Sequence, residues 1–323
     1  MKYSVIIPCY NESHVIGQCL ASVNVAREGR NDVQVIVVDN GSTDTSGAIA
    51  RAHQKHPLDQ VIDVPRLRIS AVRNAGARIS SGEIILFLDS DIEVPSNWLT
   101  TLDDWFGQQR SDVLGFVDLP PVTAPWVARI WGERVLARRH TAGEVDFLPG
   151  RNICVLRRWF DAVGGFSETL TTGEDKDFVM RLGKAGARVM TDRSIPLIHL
   201  GYERNFREWM RKEYWRQHSH IDLLREQGVS PRLIRFPLLA IGHLGLVLLA
   251  AICLLAAPKL GVFLLLASFL PSLVLTLRCP PHRSNPERLL QSTLLYWARF
   301  NIAAVSILRA AQETFLAGKG ANA

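Results

Sequence analysis

Several things are scarce or missing in this chain, and each absence closes off a class of protein. Its 323 residues include only five cysteines, at positions 9, 19, 154, 253 and 279, with no ligand spacing among them. A disulfide framework and a cysteine metal cluster are therefore excluded, and reduced thiols in or beside a cytosolic compartment fit best. No glycine-rich basic loop follows the first apolar run; Pro8-Cys9-Tyr10-Asn11-Glu12 stands there instead. No aromatic-basic repeat or nucleic-acid motif is present, so the formal charge of +6 points to polyphosphate ligands and an anionic membrane surface rather than nucleic acid. Lys2 leads into a short strand-like run, so no leader peptide is expected.

Charge is also missing locally. Residues 236–277 contain no Asp, Glu or Arg, and His243 and Lys259 are their only basic residues. Residues 236–257 are long enough to span a hydrocarbon core, and 260–277 just reach the lower limit. Pro258-Lys259 between them predicts a two-helix hairpin; the alternative is a buried helical pair in a soluble core. Arg232 and Arg235 precede the hairpin, and Arg278, His282, Arg283 and Arg288 follow it. By the positive-inside rule both flanks face the cytoplasm, so the expected location is the inner (plasma) membrane with the large domain on its cytoplasmic side. Residues 285–316 are apolar but interrupted by Arg288, Arg299 and Arg309, the pattern of an interfacial helix, with a third span as the alternative. The expected division is a globular domain over 1–227 and a membrane region over 228–323.

What is present begins with alternation. Ser4-Val5-Ile6-Ile7 reads as a strand, and Val15, Ile16, Cys19, Leu20 and Val23 recur at helical spacing. A strand over 33–38, a helix over 42–56, a helix over 71–79 and a strand ending at Leu88 follow. Continuous Val/Ile/Leu runs separated by helices predict an α/β domain with a mostly parallel sheet covered on both faces. Further on come a strand within 147–156, a glycine turn at Gly164-Gly165-Phe166, a helix over 174–185, a strand over 189–199 and a basic helix over 207–227. Residues 120–140, with Trp126 and Trp131, read either as a flap over the site or as a packed helix.

The polar residues of interest all follow strands: Tyr10, Asn11 and Glu12; Asp39 and Asp44; Asp89 and Asp91. Ligand crevices of open α/β sheets lie outside the carboxyl ends of the strands. Asp89-Ser90-Asp91 places two carboxylates where a buried strand leaves the sheet, and buried carboxylates need a partner or a cation. The pair suits a divalent ion bridging protein and phosphate oxygens.

Taken in order, Val5–Glu12, Val37–Asp44, Arg73-Asn74-Ala75-Gly76-Ala77-Arg78, Leu88–Asp91, Gly164-Gly165-Phe166 and Gly173-Glu174-Asp175-Lys176-Asp177 resemble the signature of family 2 glycosyltransferases. The resemblance covers roughly residues 3–220 and lies in the order and spacing of the motifs. It implies a GT-A nucleotide-diphospho-sugar transferase fold and an inverting transfer of a sugar from a nucleotide-diphosphate donor, UDP being favoured by family habit. By analogy Pro8, Tyr10, Asn11, Glu12 and Asp39 line the nucleotide pocket, with Asp39 accepting from the base. Arg73, Asp89 and Ser90 face the donor, although Arg73 also reads as a surface helix charge and Asp44 as a helix cap. Asp89 and Asp91 would hold Mg²⁺ or Mn²⁺, with His199 either beside the metal or structural.

Inversion by single displacement needs a base for the acceptor hydroxyl. Asp175 is the candidate, and Glu174 orients the site or the acceptor. Arg211, Lys212, Trp215 and Arg216 are candidates for phosphate or acceptor contacts, or else form a basic helix on an anionic membrane. The Gln-x-x-Arg-Trp motif of processive relatives is absent; Glu213-Tyr214-Trp215-Arg216 only echoes it. The resemblance therefore favours addition of a single sugar to a hydroxyl of a lipid-linked or glycan acceptor at the membrane, with no nucleic-acid partner. Three other readings stay open: a polyprenyl-phosphate glycosyltransferase, a nucleotidyltransferase and a non-catalytic membrane scaffold.

Overall fold

The computed structural model describes residues 1–137, 142–218 and 220–320. The chain opens with β1 (Tyr3–Cys9), α1 (Ile16–Ala26), β2 (Val33–Asp39), α2 (Ser46–Ala52), β3 (Gln60–Asp63), α3 (Ile69–Ile79) and β4 (Ile84–Leu88). It continues through β5 (Ile92–Glu93), α4 (Trp98–Gly107), β6 (Val113–Leu119) and α5 (Trp126–Glu133). Next come β7 (Ala142–Glu144), β8 (Asn152–Leu156), α6 (Arg157–Ala162), α7 (Glu174–Lys184) and β9 (Val189–His199). The remainder is helical: α8 (Phe206–His218), α9 (His220–Gln227), α10 (Pro231–Ala256), α11 (Pro258–Ala267), α12 (Leu270–Leu277), α13 (Pro280–Arg283) and α14 (Pro286–Gly320).

Two compact units result, one from residues 1–121 with 142–202, the other from 122–137 with 203–320. Residues 203–227, grouped with the first domain by sequence, thus pack with the second unit. Trp209 of α8 is wholly buried in a cluster with Leu295 of α14, which explains that allegiance. The 120–140 stretch forms α5 as far as the described residues reach; 138–140 lie outside them.

In the first unit every residue of β1 and β2 is buried, as strands covered on both faces require. The sheet order is β3-β2-β1-β4-β8-β6-β9-β5, with β7 on β9. The strands β3, β2, β1 and β4 are parallel, as the alternating first half predicts. The second half makes the sheet mixed rather than mostly parallel: β8 runs antiparallel to both β4 and β6, and β5 and β7 run antiparallel to β9. One core layer joins the sheet to α1 and α4 through Ile16, Leu20, Trp98 and Leu102. The other joins it to α3 and α7 through Val72, Phe87, Phe166 and Phe178, with the last two rings stacked at 4.2 Å. Each such side chain contributes about 1.5–3 kcal/mol on burial.

In the second unit, Leu233–Ala256 and Pro258–Leu277 are long and apolar enough to cross a membrane. They match the expected hairpin and meet at Ala257. A Cβ at Gly261 would sit 2.6 Å from Leu254 Cα, so a small residue is needed where α10 and α11 touch. Leu255 is 90% and Phe263 66% exposed, unlike a helical pair enclosed in a soluble core.

Candidate active site

The parallel register brings strand ends level. Cys9 lies opposite Asp39, and Ile6 opposite Phe87, so the residues after β1, β2 and β4 share one sheet edge. The loop after β1 is tied to the loop after β2. Asn11, with a left-handed φ of 54°, takes a hydrogen bond on Oδ1 from Thr43 N–H at 2.8 Å and donates its own N–H to Ser42 Oγ at 3.0 Å. Glu12 N–H donates to Ser46 Oγ at 2.8 Å. Asp39 is buried, and its Oδ1 accepts from Ser42 N–H at 2.9 Å. A Cβ at Gly47 would come 2.6 Å from Asp39 Oδ2, so α2 can approach that carboxylate only through a glycine. Pro8, next to last in β1, is buried, whereas Tyr10 is more than a third exposed with the Arg66 guanidinium 3.3 Å from its ring centre. Asp44 caps the second loop through Ser46, whose hydrogen bonds hold its carboxyl below the ordinary range. The helix α2 starts at Ser46 rather than at 42, after Thr45, which makes no side-chain capping bond.

The acidic centre is built around Arg73. This side chain is 3% exposed, a buried bridge rather than a surface charge, and it donates to Asp89 Oδ1 and Glu174 Oε1, both at 2.8 Å. Glu174 and Asp175 sit in the first turn of α7, which follows Gly173 at φ +76°, a conformation that favours glycine. Burial, reinforced by Asp175, raises the Glu174 carboxyl above its ordinary value despite the pull of Arg73. Asp175 Oδ2 accepts from the Gly150 N–H at 2.9 Å. Ser90, between the two aspartates, is buried.

Asp91 and His199 are 108 positions apart, and strand pairing joins them. Ile92 lies opposite His199 in the β5–β9 ladder, and Leu200 N–H donates to the Asp91 carbonyl at 2.8 Å. His199 Nε2 is 3.2 Å from Asp91 Oδ2. Burial opposes ionisation of Asp91, but the His199 hydrogen bond and the Arg151 charge hold it below the usual carboxylate range. Its other oxygen, Oδ1, is buried without a hydrogen-bond partner among the described residues.

Three further residues at this edge were not singled out from sequence. Asp118, near the end of β6, pairs with Arg151 at 2.8 Å and lies 3.9 Å from His199 Nδ1. Arg151 also accepts the Asp89 N–H on its carbonyl at 2.9 Å. Gly150 packs directly against Arg73: a Cβ there would be 2.9 to 3.1 Å from the guanidinium atoms. Asp118 carried a signal, an acid at the exit of an apolar strand, like Asp89. Gly150 and Arg151 carried none.

The carboxylates Asp89, Asp91, Asp118, Glu174 and Asp175 outnumber the guanidiniums of Arg73 and Arg151. Among the described residues no group of three or more His, Cys, Asp and Glu forms a ready-made metal cage. The partnerless oxygen of Asp91 beside Asp89 nevertheless fits a Mg²⁺ or Mn²⁺ held by one or two carboxylates and completed by substrate phosphates.

Arg211, Lys212, Trp215 and Arg216 lie on α8 in the second unit. Arg216 is engaged by Glu203 and Glu213 at 2.8 and 2.7 Å, and Lys212 is 3.5 Å from Glu208. Arg211 is exposed, and so is Trp215.

A mixed sheet flanked by helices, with its acidic centre at the strand ends, is the GT-A fold of nucleotide-diphospho-sugar transferases. The mannosyltransferase PcManGT of Pyrobaculum calidifontis, solved with GDP-Man and Mn²⁺, superposes with a TM-score of 0.62 at 20% identity, over 95% of this chain and 87% of that one. S. aureus TarS 1-349, solved with UDP-GlcNAc, gives a TM-score of 0.54 at 19% identity, over 97% of this chain and 92% of that one. Residues 4–162 match the glycosyl transferase family 2 model, and 84–301 match the glycosyl transferase family group 2 model. The chain belongs to the family 2 glycosyltransferases.

Relatives include the succinoglycan biosynthesis protein ExoA of Rhizobium meliloti, 28% identical over 59% of this chain and 61% of that protein. Glycosyltransferase AglE of Haloferax volcanii is 40% identical over 30% of this chain and 32% of its own length. The chain thus spans less than two thirds of the length of these relatives.

Proposed function

We propose that the chain is an inverting glycosyltransferase. It moves one sugar from a nucleotide-diphosphate donor to a hydroxyl of a lipid-linked or glycan acceptor, with a divalent cation, at the cytoplasmic face of the membrane. The observation that carries this reading is the pairing of two differently prepared carboxylates at one sheet edge. Asp91, two residues after Asp89, keeps a buried oxygen without a partner among the described residues, and Asp175 is aimed by the Gly150 N–H.

In this reading Asp39 and the 8–12 loop receive the nucleotide, with Ser90 beside the donor phosphates. Asp91 and Asp89, with His199 alongside, would hold Mg²⁺ or Mn²⁺, which supplies Lewis-acid stabilisation to the leaving diphosphate. Asp175 takes the proton from the acceptor hydroxyl as it attacks, help worth ~10²–10⁴-fold. Glu174, tied to Arg73, fixes the start of α7 and so the direction of Asp175. The net negative charge of the acidic centre favours a cation and a developing positive anomeric carbon over a bare polyphosphate. PcManGT with GDP-Man and TarS with UDP-GlcNAc suggest the donors to try first, UDP-sugars leading.

The test is turnover by detergent-purified protein with Mn²⁺ or Mg²⁺, against UDP- and GDP-sugars and crude membrane lipid. The expected result is metal-dependent release of one nucleoside diphosphate, lost in Asp91→Ala and Asp175→Ala. Transfer that survives Asp175→Ala would indicate a phosphate acceptor. Absence of both turnover and nucleotide binding across the panel would refute the enzyme reading.

A further inference from the structure

The second unit contains a cluster of donors with too few acceptors, centred on Trp131. Trp131 is 4% exposed and Trp209 fully buried; the rings meet edge to face at 5.3 Å. Neither indole N–H has an acceptor among the described residues. The Arg134 guanidinium carbon lies 4.1 Å from the Trp131 ring centre, and that of Arg299 lies 5.5 Å from it. Buried Glu213 is the shared counter-ion, accepting from Arg216 at 2.7 Å and from Arg299 at 3.2 Å. Arg216 also uses Glu203, at 2.8 Å.

Arg134 is the cation left over. It donates to the Trp131 carbonyl and forms no ion pair with a carboxylate among the described residues. Burial, joined by the Arg299 and Arg216 charges, pushes its guanidinium down to about 10 against the pull of Glu213. Three guanidiniums therefore share two carboxylates, and the two indole N–H groups of the adjoining Trp131 and Trp209 rings are buried without an acceptor among the described residues. Unmet buried donors cost roughly 1–3 kcal/mol each. An anion with several acceptor oxygens would supply the acceptors these groups lack.

We propose that the Trp131 cluster binds the phosphate group of a membrane lipid. Phosphate oxygens match the fork of a guanidinium bidentately and accept from indole N–H groups. The lipid source follows from what adjoins the cluster. Arg299 also lies 4.6 Å from the ring of Phe236 on α10, the helix that exposes Leu238 at 63% and Leu248 at 56%. Acyl chains would lie along that apolar face with the phosphate at the arginines, the depth at which tryptophan and arginine side chains anchor in membranes. This assignment rests on the membrane reading above and is independent of sugar transfer.

The test uses the whole protein in maltoside detergent, with native mass spectrometry and thermal unfolding as readouts. The probes are phosphatidic acid, diacylglycerol of the same acyl chains, and inorganic phosphate. Wild type should retain one phosphatidic acid and melt higher with it, and should ignore diacylglycerol. Inorganic phosphate at the same concentration should leave melting unchanged. Arg134→Gln and Arg299→Gln should each weaken phosphatidic acid by roughly tenfold or more, the loss of one charge-assisted hydrogen bond. Arg129→Gln, at an exposed position on α5, should not.

Without lipid, Arg134→Gln should melt at or above the wild-type temperature, because it removes a desolvated cation that forms no direct ion pair among the described residues. A lower melting point would make Arg134 a structural cation and overturn the proposal. So would equal retention of diacylglycerol, unchanged phosphatidic acid binding by Arg134→Gln, or inorganic phosphate acting as well as the lipid. Sugar-transfer activity alongside any of these results would leave the catalytic reading standing.

Discussion

Arg73 meets Asp89 and Glu174 from a position only 3% exposed, and this one side chain couples the strand edge to α7. Removing one partner of a buried ion pair leaves an uncompensated charge, which costs about 3–5 kcal/mol. Arg73→Ala should therefore lower unfolding stability by about that amount in denaturant titrations. Gly150 offers a contrasting case, because its φ is not left-handed and alanine is conformationally permitted there. The added methyl would instead press on the Arg73 guanidinium. Gly150→Ala should keep the fold and lose turnover, by ~10²-fold if the carboxylates shift by an ångström. Steady-state kinetics beside a melting curve would separate the two effects. Arg73 was visible in the sequence within its Arg-Asn-Ala-Gly motif, but its burial was not, since an arginine in an amphipathic helix looks the same on either face.

Among the helices, α8 and α14 are joined by charge as well as by packing. Glu213 is held below the ordinary carboxylate range by Arg299, Arg216 and Arg134 in spite of burial, and Glu203 by Arg216 and Lys212 in the same way. A carboxylate with a depressed folded pKa stabilises the fold at pH above its unfolded value and stops doing so as pH falls through the folded one. The second unit should thus be at full strength near neutrality and weaken as pH drops below about 4.3, the unfolded glutamate value. Tryptophan-fluorescence melts between neutral and acidic pH would show the loss, and Glu213→Gln should remove much of its pH dependence. The sequence suggested phosphate contacts for Arg216. Its two carboxylate partners lie 13 and 3 residues away, and only the folded arrangement reveals that its charge is already balanced.

For the whole molecule, the apolar helices α10 to α12 carry the prediction of membrane association. Their leucines and phenylalanines stay exposed among the described residues, so the chain should stay in the membrane pellet after alkaline carbonate extraction. Release into the supernatant would reassign those faces to a protein partner. The hairpin was legible because an apolar run without acids is a local, compositional property. The GT-A fold was legible for a related reason: its strands are continuous apolar runs, and its motifs sit at strand ends, where chain order alone puts them on one edge.

The sequence by itself determined where β1, β2 and β4 would run and end, and where a hairpin of apolar helices would lie; β3, β5, β6 and β7 were not foreseen. Those properties depend on period and composition over a few residues. Tertiary structure decided that β8 would run antiparallel between β4 and β6, bringing Gly150 and Arg151 to Asp175, Asp89 and Asp118. It also decided that β9 would carry His199 to Asp91, and that Trp131 would meet Arg299 of α14. Contacts of that kind form between groups tens of residues apart, set by strand register and helix packing, and no local pattern encodes them.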